Sequence, residues 1–450
     1  MVNGKKGEKG DNVDGDRAYA DGYDAASLKV RKAGIDQAAY FGSDTLRRVE
    51  KLNGKGGKLT IDMWLMAGNN RLTAKDLAAL ESQILASNLV KPFPKCPAVT
   101  LVGSSFVQSE TLAAVDHTVV SVAGRPVTIT QADLLAGATG TDLSAFVDEP
   151  LPDGLTDNGD GTYTYNPGKF IGKVTFTYVV SDGEFVSEPA NVTLGVLSTK
   201  GGSLVLRRAG GNSIQIVQGS KVLFTQSLAS LESLKVLGAI GKGDALTVDF
   251  NSGGAFSIPA GLTFDGGSGT GNDVLVLRGT SGGDTFQMLG DQVVFAPGTT
   301  AEPTVFRVSG VEQVRFEGLA GDDTYVVSSL PLPLTLVDKA GTDTLDFSGA
   351  AAGVTVSLGT TSPQKVFGGS TTLTLSGKIE NIVGTSFADR LTGSSGDNVI
   401  YGGDGDDTIY CGSGNDLVLG GAGDDTIYGN NGRNVLIGGV GRDTLKGAGN

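Results

Sequence analysis

The sequence predicts a mostly β protein with a small helical N-terminal region, an antiparallel β-sandwich and a long β-solenoid that ends in a parallel β-roll. Glycine supplies 70 of the 450 residues, whereas charged residues make up only 19%, so the chain is turn-rich and still able to bury a core. After residue 97, short runs of Val, Thr, Ile and Phe alternate with Gly, Asp and Asn turns. Near the C-terminus these runs recur with a strict nine-residue period, which is typical of stacked repeats.

Residues 1–97 form the region with helical patterning. Thr73 is a candidate N-cap for a helix over about 73–88, and a weaker helical pattern covers 36–52. The apolar face of the first helix consists of Leu77, Leu80 and Ile84. Three prolines within 91–97 break any helix and indicate a linker to the β region.

An acidic run within 11–21 precedes the possible helices. It resembles an EF-hand loop and, together with the later helix, a dockerin, which implies a calcium ligand set. A solvated polar loop explains the same residues, because Gly10 occupies the position of the first ligand. The residues concerned are Asn12, Asp14, Gly15, Asp16 and Asp21.

The pattern of residues 98–198 predicts a sandwich of antiparallel strands. The runs at 161–167, 173–182 and 190–196 alternate apolar and polar residues between turn signals, as expected for sheets with one packed face. This stretch resembles the bacterial cadherin-like module, an immunoglobulin-like β-sandwich of surface and secreted proteins. Residues 134–140 read LLAGATG where that family has an acidic calcium segment, so the resemblance does not extend to calcium binding by this module.

The nine-residue repeat occupies 384–446 without a gap. Its seven units begin at residues 384, 393, 402, 411, 420, 429 and 438, and the third, fifth and seventh contain Gly-Gly-x-Gly-x-Asp unaltered. The repeat resembles the RTX, or haemolysin-type, calcium-binding nonapeptide, whose Gly/Asp half turns and whose other half forms a short strand. The resemblance identifies 384–450 as a calcium-binding β-roll.

Two such units are expected to form one coil of the roll, so equivalent turns stack every 18 residues. The eighth residue of each unit should point inward: Leu391, Ile400, Ile409, Val418, Ile427, Leu436 and Leu445. Strands of neighbouring coils lie about 4.8 Å apart, which brings like-charged aspartates close together along one edge. Two carboxylates about 5 Å apart repel by about 3 kcal/mol at an effective dielectric constant near 20, and a hard divalent cation removes that repulsion. A metal-free solenoid, in which Gly and Asp only form turns, is the alternative.

The candidate calcium ligands lie on two edges that differ in charge. One edge has Asp at position six of every unit, whereas the other has Asn398, Asp416 and Asn434, with Arg433 beside the last. The strongest sites are therefore expected between turns 402–407 and 420–425, while Arg442 weakens the next one. The full candidate set is Asp389, Gly403, Asp404, Gly405, Asp406, Asp407, Asp416, Gly421, Gly423, Asp424, Asp425 and Asp443.

Degenerate copies of the repeat extend the predicted solenoid back over 199–383. The segments 318–326 and 338–346 fit the nonapeptide with losses, and 266–276 fits with inserted residues. We expect a parallel or mixed β-solenoid there, with calcium assigned only to the C-terminal repeats.

Other chemistry has little support in the sequence. His117 is the single histidine, so no two-histidine zinc site can form, and its alternating context predicts a surface or edge residue. The G-x-S-x-G match at 279–283 lacks the strand-turn-helix context of a hydrolase nucleophile and is interpreted as a repeat turn. Cys411 replaces a repeat glycine and is interpreted as an inert thiol. We therefore expect a protein that is not an enzyme.

The charge distribution indicates which kinds of molecule the chain can bind. Residues 1–97 carry 16 basic against 12 acidic side chains, yet the whole chain has a net charge of −14, so the rest is strongly acidic. Such a body repels phosphate backbones, which excludes nucleic acid as the main partner. No apolar run approaches the length of a membrane span, and no cleavable signal peptide is visible at the N-terminus.

The combined expectation is a secreted calcium-binding repeat protein whose roll folds on binding extracellular calcium. The RTX resemblance implies a bacterial protein exported by the type I route. Two alternatives stay open: a cell-surface or matrix adhesin that binds glycans or proteins, and the non-catalytic C-terminal part of a secreted hydrolase.

Overall fold

The computed structural model describes residues 59–61, 99–101, 112–183, 186–290, 292–299 and 301–447. Almost all regular structure in these ranges is β, as predicted. The helical elements among them are the short helix Gln131–Leu135 and the 3₁₀ turn Leu228–Ser230. The predicted helices at 73–88 and 36–52 and the acidic run at 11–21 lie outside the described residues.

The chain forms two compact units, the first from residues 1–115, 131–149 and 177–190 and the second from the remainder. In the first unit, Leu59–Ile61 pairs in parallel with Val99–Leu101. Ser144–Val147 pairs antiparallel with the end of Gly172–Ser181. The Gln131 side chain bonds both the amide and the carbonyl of Ala145, which ties the helix to that strand pair.

The second unit begins with a small antiparallel sheet and then becomes a solenoid. The small sheet consists of Val127–Ile129, Leu155–Asp157 and Tyr163–Tyr165. His117–Val122 instead pairs in parallel with Ser233–Leu237 on one side and with Ala190–Leu197 on the other. A segment expected in the sandwich therefore supplies a strand at the start of the solenoid sheet.

The solenoid is built from stacked parallel strands in two faces. Face one contains Ala190–Leu197, His117–Val122, Ser233–Leu237, Leu262–Asp265, Thr304–Ser309, Gln292–Ala296, Thr285–Leu289, Thr324–Val327, Thr344–Asp346, Asn381–Val383, Val399–Asp404, Leu417–Ala422 and Val435–Val440. Within it, Gln292–Ala296 is the antiparallel insertion.

Face two is formed by two successive sheets. The first contains Lys221–Ser227, Ser213–Gln218, Ser203–Ala209, Ala245–Asp249, Val274–Arg278, Gln313–Glu317, Leu334–Val337 and Leu373–Ser376, of which the first two form an antiparallel hairpin. The second contains Thr355–Ser357, Arg390–Thr392, Thr408–Tyr410, Thr426–Tyr428 and Thr444–Lys446. The mixed and parallel pairing agrees with the solenoid predicted from the repeats.

The core changes along the solenoid with the length of the coil. In the upstream part, where one coil takes 39 residues between Asp284 and Asp323, aromatic rings fill the interior. Phe286 stacks on Phe316 at 5.2 Å and on Tyr325 at 5.3 Å between ring centroids. In the C-terminal roll, where one coil takes 18 residues, the buried core consists of small and aliphatic side chains without aromatic rings.

Strand register confirms the predicted coil of two nonapeptides. Thr408–Tyr410 pairs with Thr426–Tyr428, and Val399–Asp404 pairs with Leu417–Ala422, each at a separation of 18 residues. The predicted inward side chains Leu391, Ile400, Ile409, Val418 and Ile427 are fully buried. The prediction is wrong for Leu445, which is 46% exposed because no described strand stacks beyond Thr444–Lys446.

Candidate calcium site

The position-six aspartates form a ladder that links successive coils of the roll. The amide of Asp389 donates to Asp407 Oδ1 at 2.8 Å, and the amide of Asp407 donates to Asp425 Oδ1 at 2.9 Å. The amide of Asp425 donates to Asp443 Oδ1 at 3.0 Å. One carboxylate oxygen of each acceptor is therefore held by the preceding coil.

The second carboxylate oxygen distinguishes the members of this ladder. Asp407 and Asp425 are each only 1% exposed, and the Oδ2 atom of each is buried without a hydrogen-bond partner. Asp389 is also buried, but its Oδ2 accepts the Thr385 amide at 2.6 Å and its Oδ1 accepts the Thr385 hydroxyl at 3.0 Å. The ladder therefore needs an external positive partner at Asp407 and Asp425, and not at Asp389.

Burial perturbs the acidity of these groups. Desolvation raises the pKa of Asp407 to about 7, with the neighbouring carboxylates of Asp389 and Asp425 adding to it. Desolvation likewise raises the pKa of Asp425 and of Asp389. For Asp407 this corresponds to about 4 kcal/mol that the charged form costs in the metal-free fold.

Glycines allow the turns of neighbouring coils to approach closely. Gly403 and Gly421 have φ values of 118° and 124°, in the region that favours glycine. A Cβ on Gly421 would collide with the Gly403 carbonyl oxygen, and one on Gly423 with the Gly405 carbonyl oxygen. These four predicted site residues thus stack their carbonyl oxygens beside the next turn.

Glycine at position one also lets oxygens pack closely around the unpartnered carboxylate oxygens. A Cβ on Gly402 would collide with both Asp407 Oδ2 and the Gly420 carbonyl oxygen. A Cβ on Gly420 would collide with Asp425 Oδ2 and approach the Gly438 carbonyl oxygen within 2.5 Å. Carboxylate and carbonyl oxygens converge at both positions, which is the donor set that calcium takes.

On the opposite edge, two side-chain amides are satisfied and one carboxylate is not. The Asn398 side-chain amide donates to the Glu380 carbonyl oxygen at 2.7 Å, and the Asn434 amide donates to the Gly429 carbonyl oxygen. Between them, Asp416 is buried, and its Oδ1 accepts the backbone amide of Asn398 at 2.9 Å. Its Oδ2 has no partner, and desolvation raises its pKa. This edge therefore presents one orphaned carboxylate between neutral neighbours.

The position-five residues form a second ladder on the surface. Asp406 and Asp424 are exposed at position five, and Asp406 Oδ1 accepts the Asp424 amide at 2.8 Å; Asp404, at position three, is also exposed. Arg442 donates its amide to Asp424 at 2.9 Å and pairs with the same carboxylate through its guanidinium. The structure thus separates Asp404, Asp406 and Asp424 from the buried position-six set. Asp443 is half-buried at the last described coil.

The remaining candidate groups are structural. His117 is buried, contrary to the expected surface position, because its strand is paired on both sides, and its Nδ1 lies 2.5 Å from Ser233 Oγ. Cys411 is fully buried, and desolvation raises its thiol pKa to about 11, which makes it unreactive. The G-x-S-x-G segment lies between two strands, Val274–Arg278 and Thr285–Leu289, as a repeat turn.

The sequence pattern did not reveal that the carboxylate ladder extends upstream of the roll. Asp284 donates its amide to Asp323 Oδ1 at 2.6 Å, and Asp323 donates to Asp343 Oδ1 at 2.9 Å. Asp343 in turn donates to Glu380 Oε2 at 3.0 Å. The signal available was position six of the degenerate copies, which Asp323 and Asp343 occupy.

Comparisons with known proteins agree with the two kinds of module. Residues 110–197 match the family described as a cadherin-like domain. Residues 383–418 and 412–445 match the RTX calcium-binding nonapeptide repeat, described as four copies. No curated protein matches the chain.

The C-terminal part is thus an array of RTX repeats that follows a cadherin-like domain, and calcium is the ion that such repeats bind. The fit to calcium rests on the unpartnered carboxylate oxygens of Asp407, Asp416 and Asp425 and on the carboxylate and carbonyl oxygens that lie close together beside Gly402 and Gly420. RTX repeat proteins are typically secreted. The described part of the chain has no helix with both the length and the apolar character required to cross a membrane.

Proposed function

We propose that the protein is a secreted calcium-binding repeat protein whose C-terminal roll completes its folding when calcium binds outside the cell. The observation that carries the proposal is the pair of buried, unpartnered carboxylate oxygens of Asp407 and Asp425. A metal-free roll must either protonate these groups or leave the charge buried. Calcium binding to the folded form replaces that cost with ligation.

In this proposal the protein acts through its own turn residues. Asp407 and Asp425 would hold calcium together with carbonyl oxygens of the stacked glycine turns, and calcium supplies the positive charge that neutralises them. Because the ion binds the folded roll and not the unfolded chain, its binding free energy adds to folding free energy. At tenfold excess over its Kd, each site contributes about 1.4 kcal/mol.

The same linkage accounts for export. In a cytosol with little free calcium the repeats would stay loosely folded, which suits passage through a type I secretion channel. Extracellular calcium at millimolar concentration exceeds or matches the Kd of about 10⁻⁴ to 10⁻³ M expected for extracellular modules. The roll would then close only after secretion.

We further propose that the chain is not itself catalytic. The one histidine is buried against Ser233, and the G-x-S-x-G segment forms a repeat turn. Assays of the full chain for protease, lipase and glycosidase activity test this part, and turnover in any of them would contradict it.

Amide hydrogen exchange of the full chain, with and without millimolar calcium, tests the folding proposal. We expect calcium to slow exchange in Thr408–Tyr410 and Thr426–Tyr428, and chelator to reverse the effect. The strands of Val127–Ile129 and Tyr163–Tyr165 serve as internal controls, because no candidate ligand lies in them. Identical exchange of the roll strands in both conditions would refute calcium-driven folding.

A further inference from the structure

A buried cluster of three carboxylates lies in the degenerate solenoid, upstream of the matched RTX repeats. Asp323, Asp338 and Asp343 are 1%, 4% and 1% exposed. One carboxylate oxygen from each lies within 4.8 Å of the others. The recognised repeats start at residue 383, so this cluster belongs to none of them.

The solenoid brings the three side chains together from neighbouring coils. Asp323 and Asp343 directly precede Thr324–Val327 and Thr344–Asp346, which pair in parallel with Thr324 opposite Thr344. Asp338 directly follows Leu334–Val337, a strand of face two. The cluster therefore lies where the two faces of one coil meet and where the next coil stacks on them.

One oxygen of the cluster has no partner. Asp323 Oδ1 accepts the Asp284 amide at 2.6 Å, whereas Asp323 Oδ2 is buried and makes no hydrogen bond. Asp343 Oδ1 accepts the Asp323 amide at 2.9 Å, and Asp338 Oδ2 accepts the Tyr325 hydroxyl. A buried carboxylate oxygen without a donor requires a proton or a cation.

Oxygens of the cluster lie close to Gly318, where only a residue without a Cβ fits. A Cβ on Gly318 would collide with Asp323 Oδ2, the Tyr325 hydroxyl oxygen and Asp338 Oδ2. Asp338 itself occupies the repeat position that holds glycine in the C-terminal units, as in Gly402 and Gly420. The degenerate repeat has thus gained a third carboxylate at a position where the C-terminal turns have none.

Charge within the cluster is not balanced by the protein. Among the described residues, none of the three carboxylates has an ion pair with a basic side chain. Desolvation raises the pKa of Asp323 to about 8 and that of Asp343 to about 7, with the nearby Asp338 carboxylate adding to both.

We propose that Asp323, Asp338 and Asp343 bind one calcium ion that clamps two coils of the degenerate solenoid, independently of the C-terminal roll. The ligand atoms are all oxygens, which favours a hard cation over zinc or copper. Calcium suits a buried set of protein oxygens better than magnesium, which retains several waters and demands octahedral geometry.

The test is a calcium count on the full chain together with amide exchange. Equilibrium dialysis with calcium should give about one ion fewer per chain for Asp338→Asn than for the parent. Calcium should slow exchange in Thr324–Val327 and Thr344–Asp346 in the parent and not in Asp338→Asn. Asp346→Asn is the matched control, because Asp346 lies in the same coil and only caps the Ser348 amide, at 2.7 Å.

Folding of the variant is checked by exchange in the roll strands Thr408–Tyr410 and Thr426–Tyr428, which should respond to calcium as in the parent. An unchanged ion count in Asp338→Asn, or calcium-independent exchange of the two cluster strands in the parent, would overturn the proposal and leave a proton-sharing cluster. A response of the cluster strands without one in the roll would support this site while refuting the proposed function of the roll.

Discussion

The substitution Asp425→Asn tests the role of the position-six ladder most directly. Asp425 is buried, its Oδ1 accepts the Asp407 amide at 2.9 Å, and its Oδ2 has no partner. Asparagine keeps the accepting oxygen and replaces the orphaned oxygen with an amide nitrogen. The change therefore removes one charge and one calcium ligand while the hydrogen bond between coils is retained.

The expected effects have opposite signs with and without calcium. In the metal-free roll the new amide can donate to a nearby turn carbonyl, as Asn398 does to Glu380 at 2.7 Å, so stability should rise by about 1 kcal/mol. In calcium, Asp425 lies between Asp407 and Asp443 in the ladder, so its loss should weaken two sites. A tenfold loss at each corresponds to about 1.4 kcal/mol per site.

Asp416→Asn is the matched control for this experiment. Asp416 is equally buried, accepts the amide of the preceding coil at 2.9 Å and also has an unpartnered Oδ2. Its ladder neighbours are the neutral Asn398 and Asn434 in place of aspartates. The loss of its charge should therefore shift the calcium midpoint of folding clearly less.

Calcium titration of the parent and both variants, followed by circular dichroism of the full chain, gives the three midpoints. We expect the Asp425→Asn midpoint to rise by about tenfold and the Asp416→Asn midpoint to rise by a smaller factor. Equal shifts, or a larger shift for Asp416→Asn, would refute the argument that paired charges on one edge define the stronger sites.

Three further perturbations follow from the same structure. Gly421→Ala should destabilise the roll by at least about 1 kcal/mol, because a Cβ at its φ of 124° meets the Gly403 carbonyl oxygen. Gly447→Ala is the control and should leave stability unchanged, because the space around Gly447 is open. Urea unfolding in calcium compares the two variants. Without calcium, the free energy of unfolding should fall as pH rises from about 4 to 7, because the pKa of Asp407 is raised to about 7 in the folded state and protons stabilise that state across this window. Saturating calcium should reverse the trend, and a pH-independent metal-free stability would contradict the burial of the ladder. Ile409→Ala should lower the free energy of unfolding by about 2–5 kcal/mol, because this side chain is fully buried. Leu445→Ala should lower it much less, because that side chain is 46% exposed. Equal losses of stability in thermal unfolding would show that the last coil is covered.

The two ladders of the roll give the aspartates at positions five and six different roles. Position six faces inward, and its carboxylate accepts a backbone amide of the preceding coil, so each aspartate there bridges coils and adds buried charge. Position five faces solvent, where Asp406 and Asp424 cap the next turn at little electrostatic cost. Calcium dependence is therefore concentrated at position six.

Thr385 shows how a turn can lose its need for calcium. Its amide and hydroxyl satisfy Asp389, whose carboxylate has no orphaned oxygen. Thr280 does the same for Asp284 further upstream, through an amide at 2.5 Å and a hydroxyl at 2.9 Å. Threonine at position two thus replaces the ion with hydrogen bonds, which explains how degenerate coils stack on the calcium-binding ones.

The sequence alone determined the fold class, the period of the roll and the clustering of its carboxylates, and the resemblance to RTX repeats indicated calcium. Each of these follows from local residue types at fixed spacing: glycine for tight turns, aspartate at position six and an aliphatic residue at position eight, as in Ile409 and Ile427. Such a pattern repeats in register, so stacking follows from the geometry of a single coil. The buried state of Ile409 and Ile427 and the pairing of their strands agree with it.

Only the tertiary structure decided which carboxylates lack partners and which coils meet. Asp389 and Asp407 occupy the same repeat position, yet one is satisfied by Thr385 and the other is not. Asp338 joins Asp323 and Asp343 only because Leu334–Val337 lies on the opposite face of the same coil. Hydrogen-bond satisfaction and burial depend on contacts between residues distant in the chain, and these contacts exist only after the coils have stacked.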